Sequence, residues 1–276
     1  MTNPSKGQQY PASGDRTLAG ESSERDQTHR DTTLWVQGSD TLPGPSNGQG
    51  STAKLGAPPE SRDTGVIDPR TRYQIIAEPT QRRWLFSLAV PFPLDEGMAL
   101  AKDMRLVADQ PVSQRFAYRV ESVPAATDAI SLDGQERQLM LSLPQESGRK
   151  ARGLAQQWQL ESHSAREIAQ RALRHFREQP FHYTLRPPRL TADPVDDFLF
   201  RTRRGFCEHY ASSFTFLMRA AGVPARVVVG YQGGEQNQLG THLLVRQYDA
   251  HAWSEIWLEG QGWTRVDPTG AVAPER

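Results

Sequence analysis

Apolar positions along this chain are sparse at first, then alternate, then recur every three or four residues, and finally alternate again. From residue 1 to about residue 66, Gly, Pro, Ser, Thr, Gln, Asn and scattered charges dominate. Leu34, Trp35 and Val36 form the one apolar cluster there, and no helical or alternating pattern extends from them. Such a segment buries too little apolar surface to offset an ordering entropy of ~1–2 kcal/mol per residue, so it is expected to be disordered.

Short apolar or alternating runs follow: Tyr73–Ala77, Trp84–Val90, Met104–Val107, Phe116–Val123 and Gln138–Leu143. Turn material separates them, as at Glu78-Pro79-Thr80, Pro91-Phe92-Pro93, Asp109-Gln110-Pro111 and Asp133-Gly134. This pattern predicts a small antiparallel β domain of about five strands over residues 67–146. It carries no Cys and no His, so packing or partner binding is its expected role.

Beyond residue 146 the period lengthens. Leu154 and Trp158 share a helix face within Arg152–Gln159. Ser164-Ala165-Arg166-Glu167 has the form of a capping box, after which Ile168, Ala172, Leu173 and Phe176 recur at helical spacing until Pro180. Asp193-Pro194 predicts an N-cap followed by Pro at the first helical position. A further helix starts near Cys207, holds Tyr210, Ala211, Phe214, Leu217, Met218 and Ala221 on one face, and stops at Gly222 and Pro224. Ala225–Tyr231, His242–Tyr248, Ala252–Leu258 and Trp263–Val266 then read as strands. Residues 147–276 are therefore expected to be an α+β domain, helices first and an antiparallel sheet after them.

Composition narrows the function classes. The 276 residues carry 32 basic and 32 acidic side chains, and this zero net charge argues against bulk attraction to nucleic acid or anionic lipid. The longest apolar runs fall far short of the ~20 residues of a membrane-spanning helix, and no basic-then-apolar leader opens the chain. A single cysteine excludes an intrachain disulfide and a multi-cysteine zinc site. No glycine-rich phosphate loop is present, so no nucleotide cofactor is implied.

Candidate chemistry centres on that cysteine. Cys207 follows Gly205-Phe206 at a helix start, where unpaired N–H groups favour a thiolate and can hold an oxyanion. A thiolate nucleophile needs an imidazole, and the imidazole needs an orienting partner. His209, two residues along the helix, points about 200° away from the thiol. His242 and His251 both open strands, and His251 stands before the aromatic alternation of Trp253 and Trp257. Asp267 ends the next strand, so a hairpin returns it to the end where His251 lies. Trp253 is a candidate cleft-lining residue, with core packing as its alternative. A Cys207–His209–His251 metal site has too few ligands, and its two-residue spacing suits a strand better than a helix.

Arg204-Gly205-Phe206-Cys207-Glu208-His209-Tyr210, the run Ala221–Tyr231, Asp249-Ala250-His251-Ala252-Trp253 and Trp263-Thr264-Arg265-Val266-Asp267-Pro268-Thr269 strongly resemble the bacterial transglutaminase-like superfamily, of the TgpA type. The resemblance spans roughly residues 70–276. It implies a papain-like α+β fold with Cys207 as nucleophile, His251 as general base and acid, and Asp267 as orienter. It also makes Tyr183, in Phe181-His182-Tyr183-Thr184-Leu185, a candidate oxyanion support. The implied activity is acyl transfer from a glutamine carboxamide of a protein or peptide to an amine such as lysine, with neither cofactor nor metal. Hydrolysis by the same triad, as a peptidase, amidase or deamidase, is the alternative. A non-catalytic binding module on the same fold is the reading from another class. Family members are expected at the periplasmic face of the inner membrane, although this chain shows no targeting signal or membrane segment of its own.

Overall fold

The computed structural model describes residues 34–38 (as backbone), 70–88, 90–123, 131–238, 240 and 242–272. Strand β1 is Leu34–Gly38. Alternation in β2 (Thr71–Ala77) buries Tyr73, Ile75 and Ala77, and β7 (Phe116–Val123) buries Tyr118 and Val120 against them. The two strands pair antiparallel with Ile75 opposite Tyr118. Between them lie β3 (Trp84–Leu85), β4 (Val90–Pro93), β5 (Met98–Leu100) and β6 (Leu106–Ala108). Strands β3, β6 and β5 form a three-stranded sheet of their own. Tyr118 is fully buried, and its hydroxyl accepts from the Phe86 N–H and donates to the Phe86 carbonyl.

Several sequence expectations fail in this region, among them Pro91-Phe92-Pro93, expected as turn material but lying in β4, where it pairs with β7. The run Gln138–Leu143, expected as a strand, is helix α1 (Gly134–Leu141). Asp133, expected in a turn, is its N-cap and accepts the Glu136 N–H at 2.7 Å. No strand pairs with this run among the described residues, and the local cap decides the conformation.

The N-terminal segment contributes one strand. Its apolar cluster forms β1, which pairs antiparallel with β2 and with β12 (His242–Val245). Val36 stands opposite Ile75 on one side and Leu243 on the other. A five-residue strand held by ladders on both sides needs no periodic pattern of its own, which is why the sequence did not announce it. The rest of residues 1–66 lies outside the described residues. With β11 (Glu235–Gln236), the sheet runs β11-β12-β1-β2-β7-β4. It therefore draws strands from all three expected segments, and the division at 146/147 does not separate two sheets.

Next come α2 (Arg149–Glu161), α3 (Ala165–Glu178), the two-residue strand β8 (His182–Tyr183), and α4 (Pro194–Asp196), which continues as a π-turn over Asp197–Thr202. Ser164 accepts the Glu167 N–H at 3.2 Å, and the Glu167 carboxylate takes the His163 N–H, one residue before the cap, at 2.8 Å. Asp196 caps α2 from across the chain, accepting the Lys150 and Ala151 N–H groups at 2.8 and 2.9 Å. The central helix α5 (Cys207–Ala220) packs against α2 and α3, and against β10 (Ala225–Tyr231) and β13 (Ala250–Leu258). Its Phe214, Leu217 and Met218 are fully buried, each contributing ~1.5–3 kcal/mol relative to exposure. Strand β14 (Gly262–Val266) completes a further antiparallel sheet, β10-β13-β14.

Candidate active site

The nucleophile's position is set by a short parallel pairing. Strand β9 (Arg204–Gly205) lies beside β8, with Tyr183 opposite Gly205, and feeds directly into Cys207. Gly205 is required by close approach: a Cβ there would lie 2.7 Å from the His209 side chain and 2.9 Å from the Phe198 ring. Cys207 opens α5, so its N–H has no partner within the helix.

The sheet supplies the rest. Strands β13 and β14 are antiparallel, with Ser254 opposite Val266, so Asp267 leaves β14 beside the start of β13. His251 Nε2 lies 2.6 Å from Asp267 Oδ2. The other carboxylate oxygen, Oδ1, accepts the Thr269 N–H at 3.1 Å, which anchors the group to the short 3-10 turn Pro268–Ala271. Since Nε2 is engaged, Nδ1 is the nitrogen left to face a nucleophile.

Cys207 meets the same strand at the next residue. It clusters with Ala211 and Ala252, and its sulfur accepts hydrogen bonds from the Ala252 and Glu208 N–H groups. Helix α5 is keyed onto β13 by a buried polar relay, in which Thr215 Oγ1 donates to Ser254 Oγ at 3.1 Å and Ser254 Oγ donates to the Ala211 carbonyl at 3.0 Å.

Electrostatics at the sulfur correct one expectation. The helix start favours a thiolate, but Cys207 is only 8% exposed, and burial pushes its thiol above the ordinary value. The two N–H groups oppose that shift, while the nearby carboxylates of Glu208 and Asp267 add to it.

The other sequence candidates fall in distinct places. Tyr183 is half-buried beside the Gly205 backbone and stacks with Tyr210, one turn along α5 from Cys207, at 6.5 Å between ring centroids. Trp253 stacks beside His251 at 6.3 Å, with 22° between the rings. His209 turns back to the Phe206 N–H, with Nδ1 at 3.4 Å, and burial pushes its imidazole down. His242 is on β12 in the other sheet, its Nε2 2.6 Å from Asn237 Nδ2. Among the described residues, no group of three or more His, Cys, Asp or Glu is placed to hold a metal ion. Sequence reasoning missed the Ala252 N–H and the Ser254 relay. A backbone donor leaves no mark on the sequence, whereas Ser254, at an inward position of the alternation Ala252, Ser254, Ile256, was a readable sign of a buried hydrogen bond.

The family model of the transglutaminase-like superfamily matches residues 152–268, and that of the TgpA N-terminal domain matches residues 28–129. A protein-glutamine gamma-glutamyltransferase of Pseudomonas aeruginosa is 48% identical over 208 residues, which are 75% of this chain and 31% of that protein. The chain thus spans about a third of the length of this curated relative. The crystal structure of the periplasmic domain of TgpA from Pseudomonas aeruginosa matches with a TM-score of 0.77 at 40% identity, covering 89% of this chain and 90% of that one. The kyphoscoliosis peptidase of Homo sapiens is 38% identical over 76 residues, 28% of this chain and 11% of that protein. Among the described residues, no helix is long and apolar enough to cross a membrane.

Proposed function

The chain belongs to the transglutaminase-like superfamily, of the TgpA type, and we propose that it is a cysteine acyltransferase acting on glutamine carboxamides of proteins. The observation that carries this reading is the 2.6 Å hydrogen bond between His251 Nε2 and Asp267 Oδ2, next to a cysteine held by the Ala252 N–H.

Asp267 accepts the Nε2 proton, so Nδ1 presents a lone pair to the Cys207 thiol. As the sulfur attacks the carboxamide carbon, Nδ1 takes the thiol proton. The oxyanion forms against the Cys207 N–H, with the Tyr183 hydroxyl as second donor. His251 then returns the proton to the departing nitrogen, ammonia leaves, and a thioester remains. A lysine amine attacks the thioester, its surplus proton passes to His251, and the thiolate is expelled and reprotonated. The product is an isopeptide bond. Each of the two attacks needs the same imidazole, first as base and then as acid, and Asp267 stabilises the charged ring in between.

The name of the curated relative supports protein glutamine as the acyl donor, and the crystal structure of a periplasmic domain supports the periplasm as the place of action; lysine as acceptor and the face of the inner membrane are part of the proposal. Water in place of the amine gives deamidation, and the peptidase among the relatives favours hydrolysis as the second reading. Incubation with a fluorescent primary amine and a glutamine-bearing protein separates these outcomes. Transfer predicts amine incorporation by the wild type and none by Cys207→Ala. Ammonia release without incorporation supports the hydrolase. Neither incorporation nor ammonia release by the wild type overturns both and leaves a binding module, and activity unchanged in Cys207→Ala removes the cysteine from the mechanism.

A further inference from the structure

One face of the β13–β14 hairpin carries His251, Trp253 and Glu255 on β13, and Arg265 on β14 with Asp267 just beyond its end, Arg265 standing directly opposite Glu255. An ion pair across the strands is the default for that register, yet it does not form. The Glu255 carboxylate is taken by Arg226 of β10, at 2.8 Å from Nε and 2.7 Å from Nη2. Arg265 leans the other way. Its guanidinium carbon lies over the Trp253 ring, 4.1 Å from the centroid, and its Nη2 is 3.8 Å from Asp267 Oδ2, the oxygen that holds His251.

Trp253 is the platform for this contact. Its ring crosses Gly230 so closely that a Cβ there would lie 2.9 Å from it. Its Nε1 is buried without a hydrogen-bond partner. The ring is therefore placed by stacking, between the β10 backbone and the guanidinium, and its other neighbour is the imidazole of His251.

We propose that Arg265 is a positioning residue for the acyl transfer: braced on Trp253, it holds the Asp267 carboxylate toward His251 and lends a positive charge to the Cys207–His251 site. The proposal rests on the reading of Cys207, His251 and Asp267 given above. A guanidinium suits the task because it is planar, stays charged and stacks on an indole, which an ammonium does less well. The groups that share the site's field are Arg265 from β14, Asp267 just after it, and Cys207 and Glu208 from α5, while β10 contributes Gly230 opposite His251 and Arg226, whose charge is already paired with Glu255 of β13. Asp249, at the start of the β13 approach, accepts the Arg246 N–H. A cation among these groups favours every deprotonation, so its loss makes the thiolate harder to form.

The test is the pH profile of Cys207 alkylation by iodoacetamide, a neutral reagent, combined with amine transfer in wild type, Arg265→Gln, Arg265→Lys and His251→Ala. Arg265→Gln is expected to move the alkylation midpoint up by about half a pH unit, the scale of one partly screened charge. It is also expected to lower kcat about tenfold, with KM unchanged, because a misdirected carboxylate costs orientation rather than binding. Arg265→Lys, which keeps the charge and loses the planar stack, should restore the midpoint while recovering kcat only in part. A wild-type profile and wild-type kcat in Arg265→Gln overturn the proposal, provided His251→Ala does change the profile. If His251→Ala leaves the profile unchanged as well, the thiol–imidazole reading beneath it is the part that fails.

Discussion

At Cys207 two effects of opposite sign meet. Burial favours the thiol, and the N–H groups of Ala252 and Glu208 favour the thiolate; burial prevails. A helix terminus is therefore not enough to favour the thiolate here, and in the proposed mechanism the work of removing its proton falls to His251. That in turn makes the tautomer of His251 decisive, because Nδ1 is a base only while Nε2 carries the hydrogen donated to Asp267. Asp267→Asn keeps the size of the side chain but can present an amide N–H to Nε2, and so favours the wrong tautomer. It is expected to lower kcat by about 10²–10⁴-fold with little change in KM, as measured by steady-state amine incorporation. A kcat within a factor of two of the wild type would remove Asp267 from its orienting role.

At the scale of elements, the site exists because one helix end and one strand start are held in register. Ser254 is the key to that register. Its hydroxyl is wholly buried between Thr215 and the Ala211 carbonyl, one turn of α5 from Cys207. Ser254→Ala strands the Thr215 hydroxyl in a buried site, an unsatisfied donor that costs ~1–3 kcal/mol. Urea unfolding should show that loss as a lower midpoint at constant slope. The paired change Ser254→Ala with Thr215→Val removes both hydroxyls and should recover part of it. Equal stability of the single and double variants would show that the relay is not what keys the helix to the strand. The hairpin itself was readable in advance: Gly262 and the alternation Trp253, Trp257, Trp263 mark it, and an antiparallel return brings position 267 back to position 251 whatever surrounds it. Helix α1 was not readable, because its cap at Asp133 reads equally well as a turn.

At the scale of the whole molecule, the helical core carries one buried base that the reaction does not use. His175 of α3 lies among Trp158, Phe176 and Phe181, with Nε2 buried and unpartnered. Burial pushes its imidazole below the ordinary value, and the positive charge of Arg203 adds to that, against a smaller opposite effect of Glu178. The unfolded chain therefore binds a proton there more readily than the folded one. The contribution of His175 is intact above the ordinary histidine value of about 6.5 and is lost as the pH falls through that value toward the depressed one. His175→Phe fills the same aromatic cluster without a titrating group, so its stability between pH 7.5 and pH 5 should fall less than that of the wild type in urea titrations. Parallel losses in the two proteins would assign the acid sensitivity to other groups.

What the sequence determined by itself were the features that short-range physics controls. Capping residues, helical and alternating periods and turn chemistry placed α3, α5, β7, β10 and β13 within a few residues. The company of one cysteine, a strand-opening histidine and a strand-closing aspartate marked the candidate site whose His251–Asp267 contact the fold then formed. Tertiary structure decided what depends on partners remote in the chain. Strand β1 becomes a strand because β2 and β12 offer it two ladders, and the sheets ignore the boundary that composition suggested. Arg265 turns from Glu255 to Asp267 because Arg226, on a third strand, has already taken Glu255. The protonation of Cys207 likewise follows from how deeply α5 sinks against β13, which a list of neighbouring residues along the chain does not contain. Local conformation is fixed within a few residues, whereas burial and pairing are properties of surfaces that only the folded chain brings together.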